Sequence, residues 1–331
     1  MPLFSFKEIN MANKYLLIDG NSLGYAAQSS SKLTVGGEEV QAIFGFLRSL
    51  QKVLKNYPGY TPTVLWDGRA QWRFDLFPLY KDGRLSAPEK VAERDAYRAQ
   101  KPKILKVVSM LGVRQITDTE AEADDLAGYF ARSLSRGRPD NHVAMISGDQ
   151  DWCQLITENV SWHDIRYDKK CNHRNFEEFT GFKTPKQFVE AKCITGDTSD
   201  NIPGIGGIGE KGVIEFFRKY DSVEEFFIAM KTPYNPEEKH PPAHLRFARN
   251  ERPVSSKKYG AMMPMRDAFN RNMELMELAD YIPKKSTLIV DDGCFDLIEF
   301  REFLEDRLFK SIIAQLDNWV IPFEKLKGVK I

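Results

Sequence analysis

The chain has 331 residues, 42% hydrophobic and 12% aromatic, so it can bury one sizeable core with or without a small accessory module. Its four cysteines, Cys153, Cys171, Cys193 and Cys294, show no CxxC spacing, which argues against a zinc site or a disulfide framework. The 47 basic and 47 acidic side chains cancel, which argues only weakly against nucleic-acid binding, because a carboxylate cluster can offset a basic surface.

Strands and helices alternate along much of the chain. Strands are predicted at 14–19, 63–67 and 143–147, and helices at 41–55, 124–134, 184–194, 211–220 and within 295–323. This alternation predicts an α/β domain with a largely parallel central sheet and helices on both faces. The polar start excludes a signal peptide and no run reaches the length of a membrane span, so a cytoplasmic location, in a bacterial or infected host cell, is expected.

Each of the three predicted strands is followed at its carboxyl end by an aspartate. Asp19 and Asp67 come at the ends of the first two strands, and Asp149 lies just beyond the third. Because ligands of open α/β sheets bind beyond the carboxyl ends of the strands, the three side chains are expected to converge. The alternative is that each is a turn former, as Asp67–Gly68 suggests.

Three acidic residues, Glu122, Asp124 and Asp125, open the predicted helix at 124–134. Helix capping and the helix dipole would explain them without any ligand. However, Glu122 and Asp125 share a face and Asp124 lies beside them, an arrangement that suits a bound cation better than mutual repulsion does.

Two predicted loops add a DxD pair, Asp149 and Asp151, and a DxxD pair, Asp197 and Asp200. Ligands that are all carboxylates favour Mg²⁺, with Mn²⁺ as a substitute, over zinc. The acids exceed what one ion needs, and two ions about 4 Å apart are the usual solution for phosphodiester cleavage.

Residues 204–209 match the GxGxxG pattern literally, but a turn rather than a strand precedes them, so a dinucleotide site is rejected. A hairpin of two helices explains the segment better, because its turn would present backbone N–H groups to a DNA phosphate. The residues predicted to contact DNA here are Gly204, Gly206, Gly207, Gly209 and Lys211.

Five stretches together resemble the flap endonuclease / 5′→3′ exonuclease family, in the branch of bacteriophage 5′-nucleases and the N-terminal nuclease domain of bacterial DNA polymerase I. They are LLIDGNSLGYAA, TVLWDGRAQWRFDLFPLYKDGR, EAEADDLAGYFA, ISGDQDWCQLI and AKCITGDTSDNIPGIGGIGEKG, in family order across about 14–220. The resemblance implies a PIN-like 5′-nuclease fold with a helical arch at 81–106, and exonuclease and flap-endonuclease activity in replication or repair.

The resemblance also assigns roles to residues. It implies that the metal ligands are Asp19, Asp67, Glu122, Asp124, Asp125, Asp149, Asp151, Asp197 and Asp200. It implies that Lys81 and Arg84 act at the scissile phosphate, with Lys81 stabilising the developing charge. Arg73 and Lys192 are further candidates for phosphate contact, and Tyr80 either stacks on a base or packs internally.

The predicted organisation is a catalytic α/β domain at 1–180, which includes the arch, and a region at 181–331 with the DNA-binding hairpin and C-terminal helices. Expected partners are DNA with 5′ ends, flaps or nicks, an RNA–DNA hybrid, and a replication protein such as a single-strand-binding protein. A monomer and a K⁺ ion at the hairpin are also expected. The chain end at Ile331 leaves no room for a polymerase domain, which favours a standalone enzyme.

The sequence departs from the family at two places. Lys211–Gly212 stands where many relatives have Lys-Thr, which puts the ion or phosphate contact of the hairpin in question. Ala26, Ala27 and Gln28 stand where some phage relatives have a basic residue, which puts a contact there in question.

Three rival functions were weighed. A non-catalytic junction binder should lack some of the acids, yet every expected position is filled. A dehalogenase-type phosphatase needs DxD at the first strand end, where this chain has Asp19–Gly20–Asn21. An RNA-directed PIN nuclease would lack the hairpin at 204–212.

Overall fold

The computed structural model describes residues 13–82, 87–205, 208–229, 265–278 and 280–326. Arg84, Gly206 and Gly207, all predicted site residues, lie outside this part of the chain. The chain forms two compact units: unit 1 takes in 1–70, 87–173 and 278–331, and unit 2 takes in 71–86 and 174–277. In the described segments, no helix has the length and apolar character needed to cross a membrane.

Unit 1 is built on a seven-stranded sheet with the order β8-β7-β6-β1-β4-β5-β9. The strands are β1 (Lys14–Asp19), β2 (Thr34–Val35), β3 (Glu38–Glu39), β4 (Thr61–Trp66), β5 (Arg114–Asp118), β6 (His142–Ile146), β7 (Val160–Asp164), β8 (Lys169–Cys171) and β9 (Leu288–Asp291). Pairing is parallel from β7 through β5 and antiparallel at the two edges, while β2 and β3 form a separate hairpin. The predicted largely parallel sheet is therefore confirmed.

The helices bear out the predicted alternation with strands. They are α1 (Gly20–Gln28), α2 (Gln41–Asn56), α3 (Gln71–Leu76), α4 (Pro88–Met110), α5 (Ala123–Ser135), α6 (Phe176–Thr180), α7 (Pro185–Thr195), α8 (Glu210–Lys219), α9 (Val223–Ala229), α10 (Met265–Met276), α11 (Leu297–Asp306), α12 (Lys310–Ile313) and α13 (Leu316–Glu324). A short 3₁₀ helix spans Gln150–Leu155. Helices α3 and α6 to α10 belong to unit 2 and the others to unit 1.

The core of unit 1 lies mainly between the sheet and helices α2 and α4. Alternate residues of β1, Leu16 and Ile18, are buried in this core, because successive side chains of a strand point to opposite faces. The Phe46 ring of α2 stacks on Trp66 of β4 with 5.7 Å between ring centroids. Helix α5 contacts β1, β4, β5 and β6.

The C-terminal helices close the same core. Phe300 of α11 stacks on Trp319 of α13 at 5.4 Å between centroids, and Phe323 is fully buried. Residues 278–326 therefore group with the sheet rather than with the hairpin, which differs from the sequence-based division at residue 180. The reason is that β9 pairs with β5 and the apolar face of α11–α13 completes the core beside α2.

Helix α4 covers most of the segment 81–106, for which the resemblance implies a helical arch. Its second half is buried at Tyr97, Gln100 and Ile104, and the helix continues to Met110. The burial of this segment is hard to predict from the sequence, because its apolar residues are sparse until Ile104. Several of its polar side chains nevertheless form hydrogen bonds inside the fold. Gln100, for example, accepts a hydrogen bond from the backbone N–H of Ala42 and donates one to Gln28.

Unit 2 is helical. An aromatic cluster holds α8 and α9 together, with the Phe216 and Phe226 rings 5.1 Å apart. Phe182 packs edge-to-face on Phe217 at 5.8 Å, which ties the segment before α7 to α8. Helix α10 contacts α7 and α3.

Candidate active site

Asp19 ends β1 and is also the N-cap residue of α1. Its Oδ1 accepts a 2.8 Å hydrogen bond from the backbone N–H of Ser22, and its Oδ2 accepts a 2.7 Å bond from the Ser147 hydroxyl. The carboxyl is buried, and burial, with the nearby charges of Asp67 and Asp149, raises its pKa to about 7, even though both hydrogen bonds lower it.

The position of Asp19 follows from the topology of the sheet. Strand β1 lies between β4 and β6, and the chain adds β4 and β5 on one side before it adds β6 and β7 on the other. The strand order therefore reverses beside β1, which is where open α/β sheets form a ligand crevice. Asp67 follows β4 at the same edge, and its Oδ1 accepts a 2.8 Å bond from the N–H of Ala123 at the start of α5.

Asp124 and Asp125, at the start of α5, have different roles. Asp124 is partly exposed, and desolvation followed by the charges of Asp149, Asp19, Asp67 and Glu122 raises its pKa well above its ordinary value. Its Oδ1 accepts a 2.7 Å bond from the indole N–H of Trp152.

Asp125 is buried and serves the helix itself. Its Oδ2 accepts a 2.9 Å bond from the N–H of Glu122, while the Glu122 side chain accepts from the N–H of Asp125. This reciprocal pair is a capping box, the non-ligand alternative considered from the sequence.

Asp149 is the N-cap of the 3₁₀ helix, and its Oδ1 accepts a 2.8 Å bond from the N–H of Asp151. In the described part of the chain, no three Asp, Glu, His or Cys side chains are arranged so that they could hold a metal ion as they stand. The donor set nevertheless fits hard divalent cations, since it consists of carboxylates. Asp19 and Asp124 are both destabilised as anions by burial and by their acidic neighbours, and a cation would relieve this repulsion.

Unit 2 carries its own cluster, centred on Asp200. The Tyr80 hydroxyl donates a 2.9 Å bond to Oδ2 of Asp200, and the Lys81 N–H donates a 2.8 Å bond to its backbone carbonyl. The Lys81 ammonium lies 3.8 Å from Oδ2 of Asp200 and 4.7 Å from the centroid of the Tyr80 ring. Lys81 adopts φ 59°, a left-handed conformation that costs a residue with a side chain free energy and is found most often at functional sites.

Asp197 organises the loop after α7. Its Oδ1 accepts bonds of 2.7 Å from both the N–H and the hydroxyl of Ser199, and its Oδ2 lies 3.5 Å from the Lys192 ammonium. Burial raises the pKa of Asp197, but the Ser199 hydrogen bonds, the Lys192 charge and the Asp200 N–H outweigh it and hold the pKa below its ordinary value.

The described residues of the hairpin turn differ in how closely they are packed. A Cβ on Gly204 would lie 2.4 Å from the carbonyl oxygen of Thr195, whereas one on Gly209 would meet no atom of the described residues within 4 Å. Gly209 is the N-cap of α8, and Lys211 is exposed in the first turn of that helix. This leaves the start of α8 accessible to an anion.

Arg73 does not have the exposure that the predicted phosphate contact needs. It is 1% exposed, its Nε donates a 3.0 Å bond to the carbonyl of Leu275, and its guanidinium stacks on Trp72. Leu275 lies in the last turn of α10, where carbonyls lack helical partners, so Arg73 serves as a buried cap of that helix. Tyr80 is likewise buried and packs on Phe74, so it takes the packing role of its two alternatives.

Two polar side chains near the strand-end acids escaped the sequence analysis. Lys101 of α4 is largely buried with its ammonium 5.1 Å from the Trp66 ring centroid, and burial lowers its pKa although Asp67 and Asp19 oppose this. Asn21 accepts a 3.2 Å bond from Tyr97, while its buried Nδ2 has no hydrogen-bond partner among the described residues. Asn21 could have been noticed beside Asp19, but only the packing of α4 reveals Lys101.

Comparison with known proteins supports this description. The family model for the 5′-3′ exonuclease N-terminal resolvase-like domain matches residues 14–181, and the model for the 5′-3′ exonuclease C-terminal SAM fold matches 183–259. The thermostable DNA polymerase I of Thermus filiformis is 34% identical over 67% of this chain and 26% of its own length. DNA polymerase I of Bacillus subtilis is 32% identical over 64% of this chain and 24% of its own.

Among solved structures, bacteriophage T5 D15 flap endonuclease, crystallised with DNA and metal ions, aligns with a TM-score of 0.62 at 20% identity. The alignment covers 95% of this chain and all of the T5 protein, and it establishes a common fold. The chain spans about a quarter of the length of the curated polymerases. Because the first family model alone matches more than half of its residues, the chain belongs to the 5′-3′ exonuclease family.

Proposed function

We propose that this protein is a structure-selective 5′-nuclease that acts as a 5′→3′ exonuclease and a flap endonuclease on duplex or branched DNA in replication or repair. The observation that carries the proposal is that Asp19 and Asp124 are both desolvated and both repelled by the charges of neighbouring acids, and that Asp19 stands where the strand order reverses. Acids placed in this way are unfavourable without a cation, and phosphodiester hydrolysis uses cations.

The proposed ligands of two Mg²⁺ ions are Asp19, Asp67, Glu122, Asp124, Asp125, Asp149 and Asp151 of unit 1, with Asp197 and Asp200 of unit 2. Bound divalent ions would activate water and neutralise the charge that develops on the phosphate. The protein's own groups orient this chemistry: Ser147 and Ser22 hold both oxygens of Asp19, and Trp152 holds one oxygen of Asp124. For Asp125 the proposal requires its other oxygen, because Oδ2 already caps α5.

The hairpin is proposed to hold the DNA backbone through Gly204, Gly206, Gly207, Gly209, Lys211 and Lys192. Lys81 and Arg84 are proposed to stabilise the charge at the scissile phosphate. Lys81 is already held close to Asp200 by its backbone and its ammonium group, which supports a place near the reacting atoms. Contacts to phosphate carry no information about base sequence, so the preference for one DNA substrate over another would come from the shape of the DNA.

Several finer points of the proposal rest on the carboxylate ligand set and on the family resemblance. Mn²⁺ is proposed to replace Mg²⁺, K⁺ to bind at the hairpin, and an RNA–DNA hybrid to be cut as well as DNA. A monomer and a replication partner such as a single-strand-binding protein are part of the same proposal. Comparing K⁺ with Na⁺ in DNA binding tests the ion at the hairpin. Comparing RNA-primed with all-DNA duplexes in cleavage tests the activity on an RNA–DNA hybrid.

The deciding experiment uses end-labelled 5′-flap, nicked, blunt and RNA-primed duplexes with Mg²⁺ and maps the product lengths. Cleavage near the 5′ junction is expected, and EDTA should abolish it. Asp19→Asn and Asp151→Asn should remove cleavage and leave DNA binding in EDTA nearly unchanged. Wild-type protein that binds these substrates but never cuts them would show a non-catalytic junction binder instead.

A further inference from the structure

Asn272 of α10 is fully buried, and its side-chain amide joins two separate pieces of backbone in unit 2. Its Nδ2 donates 2.9 Å hydrogen bonds to the carbonyls of Cys193 and Pro203. Cys193 lies in the last turn of α7, where carbonyls lack helical partners, and Pro203 lies just before the hairpin glycines. Nothing in the sequence motifs or the family models covers Asn272, since the second model ends at residue 259.

The two carbonyls flank the loop that carries Asp197 and Asp200. Within that loop, Asp197 and Ile202 exchange backbone hydrogen bonds of 2.9 and 2.8 Å. The two ends of the loop also touch, because a Cβ on Gly196, which has φ 80°, would lie 2.4 Å from the backbone nitrogen of Gly204. One side chain from another helix therefore holds both ends of a closed loop.

The orientation of the amide is fixed by its neighbour. Arg271 donates from Nε and Nη2 to Oδ1 of Asn272, at 3.2 and 2.9 Å. Because a guanidinium can only donate, the oxygen must face Arg271 and the amide nitrogen must face the two carbonyls. The Arg271 guanidinium lies 4.8 Å from the centroid of the Phe77 ring, and the carbonyl of Phe77 accepts from the N–H of Tyr80.

We infer that Asn272 is a positioning residue for the Asp197–Asp200 loop: by holding the carbonyls of Cys193 and Pro203, it sets where the two carboxylates stand. The inference rests on the proposed function, in which both carboxylates are metal ligands. Asn272 itself touches neither DNA nor metal. Its loss should therefore weaken metal binding and slow turnover much more than it weakens DNA binding.

The test compares Asn272→Asp with Asn270→Asp. Asp at 272 keeps the shape and the acceptor for Arg271 but removes both donors and sets a carboxylate oxygen against two carbonyls. Asn270 lies exposed on the same helix, so the same substitution there controls for added charge. Measurements are Mn²⁺ binding by calorimetry without DNA, kcat and KM on a 5′-flap, DNA affinity in EDTA, and the melting temperature.

For Asn272→Asp we expect weaker binding of Mn²⁺, a higher Mg²⁺ concentration at half-maximal rate, and kcat reduced about 10- to 100-fold, since misplacing a group by about 1 Å can cost this much. KM and the DNA affinity in EDTA should change less than about threefold. The control should match wild type in all four measurements. Mn²⁺ binding and kcat equal to wild type would overturn the inference, as would a loss of kcat matched by an equal loss of DNA affinity.

Asn272→Ser keeps one hydrogen-bond donor and leaves room for water. This variant tests the positioning role of Asn272 if Asn272→Asp does not fold. It should change Mn²⁺ binding and kcat in the same direction by a smaller factor, and a folded Asn272→Ser indistinguishable from wild type would reject the inference. A failure of the proposed function looks different. Wild-type protein would then cut no 5′ structure, whereas the comparison of Mn²⁺ binding between wild type and variants would still be decisive for Asn272.

Discussion

Tyr80 and Asp200 form a partly buried hydrogen bond, 2.9 Å from the phenol oxygen to Oδ2, although 120 residues separate them along the chain. The backbone N–H of Lys81 adds a second contact, a hydrogen bond to the carbonyl of Asp200. Asn201 adds a third, a 2.8 Å bond to the carbonyl of Leu79, so residues 79–81 and the loop after α7 are joined at three points.

Tyr80→Phe should free the Asp200 carboxylate while leaving the ring packed on Phe74. A hydrogen bond to a charged group contributes about 1.5–3 kcal/mol, so kcat on a 5′-flap should fall at least about tenfold. Tyr129→Phe, the same change at a partly exposed tyrosine of α5, is the control. Equal kcat in the two variants would mean that this hydrogen bond does not matter for turnover.

Lys81→Ala should lower kcat by about 10²–10³ and leave KM within a few-fold, because a group that stabilises developing charge acts in the transition state. Lys211→Ala provides the contrast, since a phosphate contact contributes to affinity. It should raise KM with kcat unchanged, and reduce the salt dependence of DNA binding by about one unit of slope. If Lys81→Ala instead shows a pure loss of affinity, Lys81 positions the DNA and does not act in the chemical step.

Gly204→Ala and Gly209→Ala test the hairpin with the same added methyl group. At Gly204 the methyl would lie 2.4 Å from a backbone oxygen of α7, so the turn must shift and DNA affinity in EDTA should fall about tenfold or more. At Gly209 the methyl would meet no atom of the residues that the structure describes, and affinity should stay within about threefold. Melting temperatures of both variants separate a shifted turn from general unfolding.

Metal-free protein should lose stability as the pH rises. Asp19 has an ordinary pKa of 3.8 that the fold raises to about 7, so the folded state binds more protons than the unfolded state between these values. Its contribution to stability is fully present below about pH 4 and is lost as the pH rises through 7; Asp124 adds to the same trend.

The measurement is the melting temperature in EDTA from pH 4 to pH 8 for wild type and Asp19→Asn. The variant has no proton to lose, so its melting temperature should fall less over this range. Glu158→Gln, at an exposed loop position, should follow wild type. Mg²⁺ should stabilise wild type more at pH 8 than at pH 6, because protons and cations compete for the same carboxylates. Parallel curves for wild type and Asp19→Asn would refute the linkage.

The central sheet and the acidic residues at the strand ends and at the start of α5 could be predicted, because the sequence patterns that mark them are local. Asp19 and Asp67 each follow a short apolar run, and the start of α5 is marked by adjacent acids, so periodicity and turn chemistry sufficed. Strands β5, β7, β8 and β9 were not predicted. Ile116 is the one apolar residue of β5, and the edge strands β8 and β9 have three and four residues.

Contacts between distant segments could not be read from the chain. Arg73 looked like a surface arginine, and its burial depends on a carbonyl 202 residues away in α10. Asp118, the buried last residue of β5, accepts a 2.7 Å bond from Tyr281 and was also missed. In each case the partner arrives with a helix or strand whose packing no local pattern specifies.

The return of the chain to unit 1 after residue 277 has a practical consequence for anyone who dissects this protein. A fragment that stops near residue 180 keeps every proposed metal ligand of unit 1 but discards β9 and the helices that carry Phe300, Trp319 and Phe323. It would expose the apolar face of α2 that packs on α13, and the Phe44 ring that packs on Phe309, and would leave β5 as a bare sheet edge, two recognised causes of aggregation. Deletions made inside 174–277, with both ends of unit 1 retained, are the sounder way to separate the two halves.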